Sequence, residues 1–471
     1  MYAPMISIPI DSTSTTPMYE QIYTYIKQEI IDGNLTAGTK LPSTRSLASY
    51  IQVSRNTIDM AYGQLFSEGY IEAQPKRGYF INEIHGLKVS QVATTLPSTI
   101  KKRANPSTYQ FDFSPFSIDL KHFPFHTWQK LLKTSVDNHD DIFLLGDTQG
   151  DVEFRIAIWK YIHQSRGVNC SIDQIVIGAG VDYLLQILSQ LFSKEEIIAM
   201  ENPAYKQAYQ VFEGLGFETV SVPVTSQGID IKKLCQTDAK IVYVTPSHQY
   251  PLGAVMPIKK RLALLDWANR EEGRYIIEDD HDSEFRYKGK PIPSLQGIDT
   301  NEKVIYMGTF SRSIAPAIRI GYMVLPKPLL TLFQQKLKHY SSTVSRLDQR
   351  IMTIFMEEGH YERHLNRMRK RYKAKHDVML NGLRQSQGPI TVRGEHAGLH
   401  LVMEIHTSAS EEEILTLAKE HGIRLYPLSE HYVELPPSYK PSFLMGYANL
   451  SEEAITQGLI ELEKIITNLP K

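Results

Sequence analysis

The chain has 471 residues, 42% of them hydrophobic and 22% charged, which is enough apolar material for more than one domain core. Fifty-one Lys and Arg balance 52 Asp and Glu, so bulk charge assigns neither a nucleic-acid nor a membrane partner. Only Cys170 and Cys235 occur, without clustered His/Cys spacing; that excludes a disulfide scaffold and a zinc framework and predicts two buried thiols in a reducing compartment.

In chain order, the opening MYAPMISIPIDS lacks the basic and apolar segments of an export signal. No later run nears the roughly 18 apolar residues of a spanning helix, so the protein reads as cytoplasmic. After Pro17, Ile22, Tyr23, Ile26 and Ile30 recur at helical spacing until Asp32-Gly33. Ser43 then caps a second predicted helix, Gln52-Val53 makes a short turn, and Ser54 caps a third. Two strands follow, joined at Pro75 to Gly78.

Helix, helix-turn-helix and β-wing would lay the third helix in a DNA major groove with its N-terminal side chains at base edges. Ser54, Arg55, Asn56 and Thr57 suit that task, and Arg45 with the wing-tip Lys76 and Arg77 would hold phosphates. Taken alone, SRNT reads more simply as an N-capped surface helix. The ordered motifs Pro-x-Tyr-x-Gln-Ile, Gly-x-Leu-x-x-Gly-x-x-Leu-Pro-Ser-x-Arg-x-Leu-Ala, Val-Ser-Arg-Asn-Thr and Glu-Gly-Tyr-Ile change that weighting. Together they resemble the GntR-type winged helix over residues 15 to 82. Residues 1–82 carry six Lys/Arg against seven Asp/Glu, so binding would rest on a small basic face with a modest salt slope.

Residues 83–110 are rich in Ser, Thr and Pro, with a basic cluster at Lys101, Lys102 and Arg103, and read as a linker between a DNA-binding domain over 1–82 and a larger domain over 111–471. In the larger domain the apolar runs QIVIG, EEIIAM, ETVSV, KIVYVTP, RYIIEDD, KVIYMGTF and GYMVLP alternate with helical patterns. That alternation predicts an α/β fold with a mostly parallel sheet, with ligands at the C-terminal strand ends. Gly180 and Val181 open a helix whose N–H groups could cradle a phosphate. Tyr205 could form an aromatic plate, and Asp279, Thr309, Ser311 and Arg319 end or follow strands. Each also has a plainer reading, as cap, core or surface ion pair.

In order, these segments resemble the fold-type I aminotransferases that use pyridoxal 5'-phosphate (PLP), from about residue 111 to the C-terminus, with a small C-terminal α+β subdomain. The resemblance implies that Asp279 pairs with the pyridine nitrogen and that Arg319, Thr309 and Ser311 hold the phosphate. A winged helix, a linker and this domain, with EDDHDSEFRY, TPSHQYPLG and GTFSRSIAPAIRIGYMVLP, look like the MocR/GabR family of transcriptional regulators. That likeness implies a DNA-binding, domain-swapped homodimer that senses a small amino compound through PLP.

Two positions depart from the family. The lysine that forms the Schiff base is replaced by Arg312, whose guanidinium stays protonated and is no amine nucleophile. His281 stands where a tyrosine usually meets the PLP hydroxyl. Arg393 and Arg424 are the candidates, by residue type, for gripping an effector carboxylate. Noncovalent PLP with Arg312 paired to its phosphate or to Asp279, another anionic ligand, and a catalyst using a different base all remain open. A lysine deliberately replaced to block covalent attachment would read the same way.

Overall fold

The computed structural model describes residues 6–11, 13–83, 109–137, 140–287 and 292–470. The chain divides into two compact units, Met1–Arg103 and Ala104–Lys471. The linker expectation over 83–110, with Lys101, Lys102 and Arg103, falls almost wholly outside the described residues. Among the described residues no helix is long and apolar enough to cross a membrane.

In the first unit, helix α1 (Met18–Ile31) buries Ile22, Ile26 and Ile30, the stripe expected from their four-residue spacing. Helix α2 (Thr44–Ile51) starts at Ser43, whose hydroxyl accepts the Ser46 N–H at 3.1 Å, and ends at Gln52 in a left-handed turn, φ 57°. Helix α3 (Arg55–Ser67) starts at Ser54, which accepts the Thr57 N–H at 3.1 Å. Strands β1 (Ile71–Gln74) and β2 (Gly78–Ile81) pair antiparallel with Ile71 opposite Ile81, forming the wing. Leu47, Ile58, Tyr62 and Leu65 close the core under the α1 stripe, and Ile6 and Ile8 from the preceding segment join it.

The second unit is built on an eight-stranded sheet ordered Ile175–Gly178, Gly321–Val324, Val304–Thr309, Tyr275–Asp279, Ile241–Val244, Ile198–Asn202, Thr219–Thr225 and Gly228–Ile229. All seven predicted strand segments belong to it. Gly321–Val324 runs antiparallel to both neighbours and Gly228–Ile229 is an antiparallel edge, so the sheet is mixed but mostly parallel. Every residue of Ile175–Gly178 and Ile241–Val244 is buried, which is why these strands read as unbroken apolar runs. A smaller antiparallel sheet, Ile390–Arg393, His400–Ile405, Ser442–Gly446 and Tyr426–Pro427, lies with the 26-residue helix His360–Gln385 in the C-terminal part. Of the two cysteines expected to be buried, Cys170 is half-buried and Cys235 is exposed. The latter caps the end of a one-turn helix, Ile231–Leu234, where only Leu234 turns inward.

Candidate functional site

On the winged helix, Arg45 on α2, Arg55 and Asn56 in the first turn of α3, and Lys76 and Arg77 at the wing tip are all exposed. Ser54 and Thr57 are engaged with each other: Ser54 accepts the Thr57 N–H and their hydroxyls lie 2.8 Å apart. Ser54 thus caps the helix, satisfying an orphan helix N–H. Arg55, with a side chain 67% exposed, pairs only loosely with Asp59 at 3.4 Å. Lys76 takes a left-handed conformation, φ 61°, and the Arg77 guanidinium lies 5.3 Å from the centre of the Phe80 ring.

In the second unit a cavity of about 240 Å³ opens at the C-terminal ends of the parallel strands. Val181, Tyr205, Asp279, His281, Thr309, Ser311, Arg312 and Arg319 all line it, and Gly180 adjoins Val181. Sequence positions nearly 140 residues apart thus converge on one concave site.

Three carboxylates crowd the end of Tyr275–Asp279, and their partners tell them apart. Asp280 is held bidentately by Arg166 at 2.8 Å on each oxygen. Asp282 is held bidentately by Arg312, Nε to Oδ1 at 3.0 Å and Nη2 to Oδ2 at 3.1 Å. Asp279 has no arginine among the described residues; the Tyr243 hydroxyl donates to it. Burial pushes the Asp279 carboxyl up to about 7, with the Tyr243 hydrogen bond opposing and Asp280 and Asp282 adding to the rise. A buried carboxylate of this kind, facing a cavity and short of a counter-cation, suits a protonated ring nitrogen.

Arg312 makes its ion pair with Asp282 and not, as expected, with Asp279. Its guanidinium is spent on buried Asp282 and on the Pro115 carbonyl, at 2.7 Å. Asp282 adopts a left-handed backbone, φ 52°, in the turn that follows the strand. Despite burial, Arg312 holds the Asp282 carboxyl far below the usual range, and the pair keeps the guanidinium protonated. His281 lines the cavity beside this pair, and burial draws its imidazole down to about 4, so it is neutral.

At the other end, Val181 begins the helix Val181–Leu191, so its N–H has no intrahelical partner. The Gly180 N–H, expected as a second phosphate donor, instead donates to the Gly178 carbonyl at 2.8 Å. Gly180 matters for another reason: at φ 90° a Cβ there would lie 2.7 Å from Arg319 Nη2. The Thr309 hydroxyl accepts the Ser311 N–H at 3.2 Å and lies 3.0 Å from the Ser311 hydroxyl, forming a polar cradle with Arg319. Arg319 is not free, however. It reaches Asp182 Oδ2 at 3.1 Å, while the Gln207 amide donates to Asp182 Oδ1 at 2.7 Å.

Tyr205 packs edge-on against Tyr250, ring centres 5.8 Å apart, with its hydroxyl on Gln207. Arg393 pairs with Glu404 at 2.6 Å, and Arg424 approaches Asp112 while lying over Tyr426; neither lines the cavity. Sequence reasoning missed Asp182, Tyr243, Tyr250 and Asp282. Asp282 stood inside the quoted EDDHDSEF segment, and Tyr243 was the one polar-tipped residue in an apolar strand.

The chain matches the family of bacterial regulatory proteins of the gntR type over residues 18–81 and the aminotransferase class I and II family over residues 117–461. It is 39% identical over 456 residues to the uncharacterized HTH-type transcriptional regulator YdeL of Bacillus subtilis, covering 96% of this chain and 98% of the relative. It is 31% identical to the probable rhizopine catabolism regulatory protein MocR of Rhizobium meliloti, covering 96% and 94%. The fold of the second unit is shared with a kynurenine aminotransferase of Pyrococcus horikoshii, TM-score 0.69 at 23% identity, covering 76% of this chain and 90% of that one. With DNA binding placed in its gntR-type helix-turn-helix and an aminotransferase class I and II domain behind it, the chain belongs to the MocR family of HTH-type transcriptional regulators.

Proposed function

We propose that this regulator holds PLP noncovalently, senses a small amino compound through it, and does not transaminate. The observation that carries this reading is the bidentate Arg312–Asp282 ion pair at the position of the Schiff-base lysine. A guanidinium buried in such a pair neither attacks an aldehyde nor shuttles a proton, so both jobs of that lysine are unfilled. The rest of the cavity fits the cofactor. Asp279, oriented by Tyr243, would hold the ring nitrogen; Thr309, Ser311, the Val181 N–H and Arg319 would hold the phosphate; Tyr205 and His281 would flank the ring.

When bound, PLP supplies an aldehyde able to condense with a primary amine. The chain's own contribution is to bind and orient: Asp279 and Arg319 would fix the two charged ends, and neutral His281 lies between them beside the Arg312–Asp282 pair. Arg312 ties the Pro115 carbonyl to the pocket, so any ligand that disturbs the Asp282 pair also pulls on the segment at Pro115–Phe116. Domains over 1–82 and 111–471 with a linker over 83–110, a domain-swapped homodimer and a cytoplasmic setting complete the proposal. Such a dimer would read a duplex operator with two half-sites.

A second reading, an anionic ligand other than PLP, is favoured by one observation: Arg319 is already paired with Asp182. Absorption spectra with added PLP, before and after candidate amines, separate the two. Saturable binding of PLP without a borohydride-trapped lysine supports the first. Absence of binding supports the second, and turnover of an amino acid with an oxo acid sinks both.

A further inference from the structure

His248, His281 and Asp282 each offer one ligand atom, and these atoms all lie within 4.8 Å of one another. They sit on two neighbouring loops at the C-terminal strand ends, His248 after Ile241–Val244 and the other two after Tyr275–Asp279. His248 is fully buried, and its imidazole meets the backbone of Ala397, the kind of outer partner that orients a ligating histidine. His281 Nε2 lacks a hydrogen-bond partner and lies 3.5 Å from Asp282 Oδ2. The two imidazoles are nearly parallel, 10° apart, with centres separated by 6.3 Å. One nitrogen of each imidazole and a buried carboxylate oxygen are thus gathered at one point, a donor set that can take a cation.

We propose that His248, His281 and Asp282 form a binding site for a divalent first-row transition ion, zinc or nickel. Two neutral imidazoles and a carboxylate are the donors such ions take, whereas calcium and magnesium want oxygen throughout. Bonds of about 2.0–2.2 Å in a tetrahedral shell set ligand atoms roughly 3.4 Å apart. The trio must therefore contract by about an ångström, within reach of side-chain rotation on two loops. Asp282 keeps Arg312 on its outer lone pairs, since an ionised carboxylate has about four acceptor sites. The Arg312 charge opposes the cation and limits its affinity. A fourth position is open toward the ligand cavity, which His281 also lines. His400 stays outside the set because its Nε2 is taken by the Pro251 carbonyl at 2.8 Å.

The test uses the untagged full chain, stripped with EDTA and without added PLP, so its outcome is independent of the cofactor reading. Co(II) is titrated by visible absorption, and zinc retained after gel filtration is counted by metal analysis. One ion per chain is expected, with affinity lost at least tenfold in His248→Gln and in His281→Ala and kept in His431→Gln. Arg312→Gln is expected to tighten binding by about tenfold, because it removes a cation from beside the ligand carboxylate. Circular dichroism confirms that each variant is folded. No stoichiometric ion, or equal retention in His248→Gln, overturns the site.

Discussion

The Arg319–Asp182 pair gives the sharpest handle on whether a phosphate occupies the end of the cavity. Asp182→Asn removes the charge without changing the volume, and the new amide oxygen still accepts from Gln207. Arg319 is 51% exposed and Asp182 29% exposed, so the pair itself contributes at most about 1 kcal/mol. Repulsion is the larger effect. Any phosphate gripped by Arg319 must sit within roughly 5–6 Å of a carboxylate that is 3.1 Å from the same guanidinium. With a phosphate charge near −2 and screening close to that of water, the penalty is about 1–2 kcal/mol. Removing it should tighten PLP binding about 5- to 30-fold by equilibrium dialysis at low salt, and by less as salt rises. Unchanged or weaker binding in Asp182→Asn would mean that the phosphate does not lie at Arg319, and the assignment of Thr309, Ser311 and Val181 would fall with it.

Further outcomes follow from the same geometry. Arg312→Lys keeps a cation beside Asp282 but restores an amine, so borohydride with PLP should yield a lysine adduct at position 312 that the parent chain lacks; a stoichiometric adduct on any lysine of the parent refutes the noncovalent reading. Arg55→Ala should cost about 1–3 kcal/mol on a specific duplex and relax its sequence preference. Arg45→Ala should weaken all duplexes alike and lower the salt slope by about 1, both read by anisotropy titration. Glu201 is buried, accepts from the Thr245 N–H and hydroxyl at 3.2 and 3.0 Å, and is pushed by burial from 4.5 up to about 7. Between those values the folded state holds a proton that the unfolded chain has released, so stability falls as pH rises through that window and is flat above it. Glu201→Gln should therefore gain melting temperature over the parent at pH 8 and lose that advantage near pH 5; a difference independent of pH would refute the shift.

Much of this was readable in the sequence because the deciding physics is local. Parallel strands covered on both faces need continuous apolar runs, and all seven of those runs joined one sheet. Ser43 and Ser54 announced helices because a hydroxyl before a helical stripe satisfies an orphan N–H. The missed residues are those whose roles depend on distant partners. Asp182 meets Arg319 across 137 positions, and Tyr243 meets Asp279 across 36. Nothing in either stretch signals the encounter. Asp282 meets Arg312 across 30 positions, from a left-handed backbone at a non-glycine residue that sequence pattern does not reveal.

The Arg312–Asp282 pair also bears on what the pocket keeps when no lysine stands at position 312. Removing one partner of a buried ion pair leaves an uncompensated charge and costs about 3–5 kcal/mol. An uncharged residue at position 312 would strand Asp282 in that way. Arginine instead neutralises the carboxylate with two hydrogen bonds and adds a third to Pro115. Among substitutions for a lysine, it is the one that keeps the charge balance of the site while abolishing the nucleophile. A pocket so balanced keeps the polar lining that the proposed ligand binding requires.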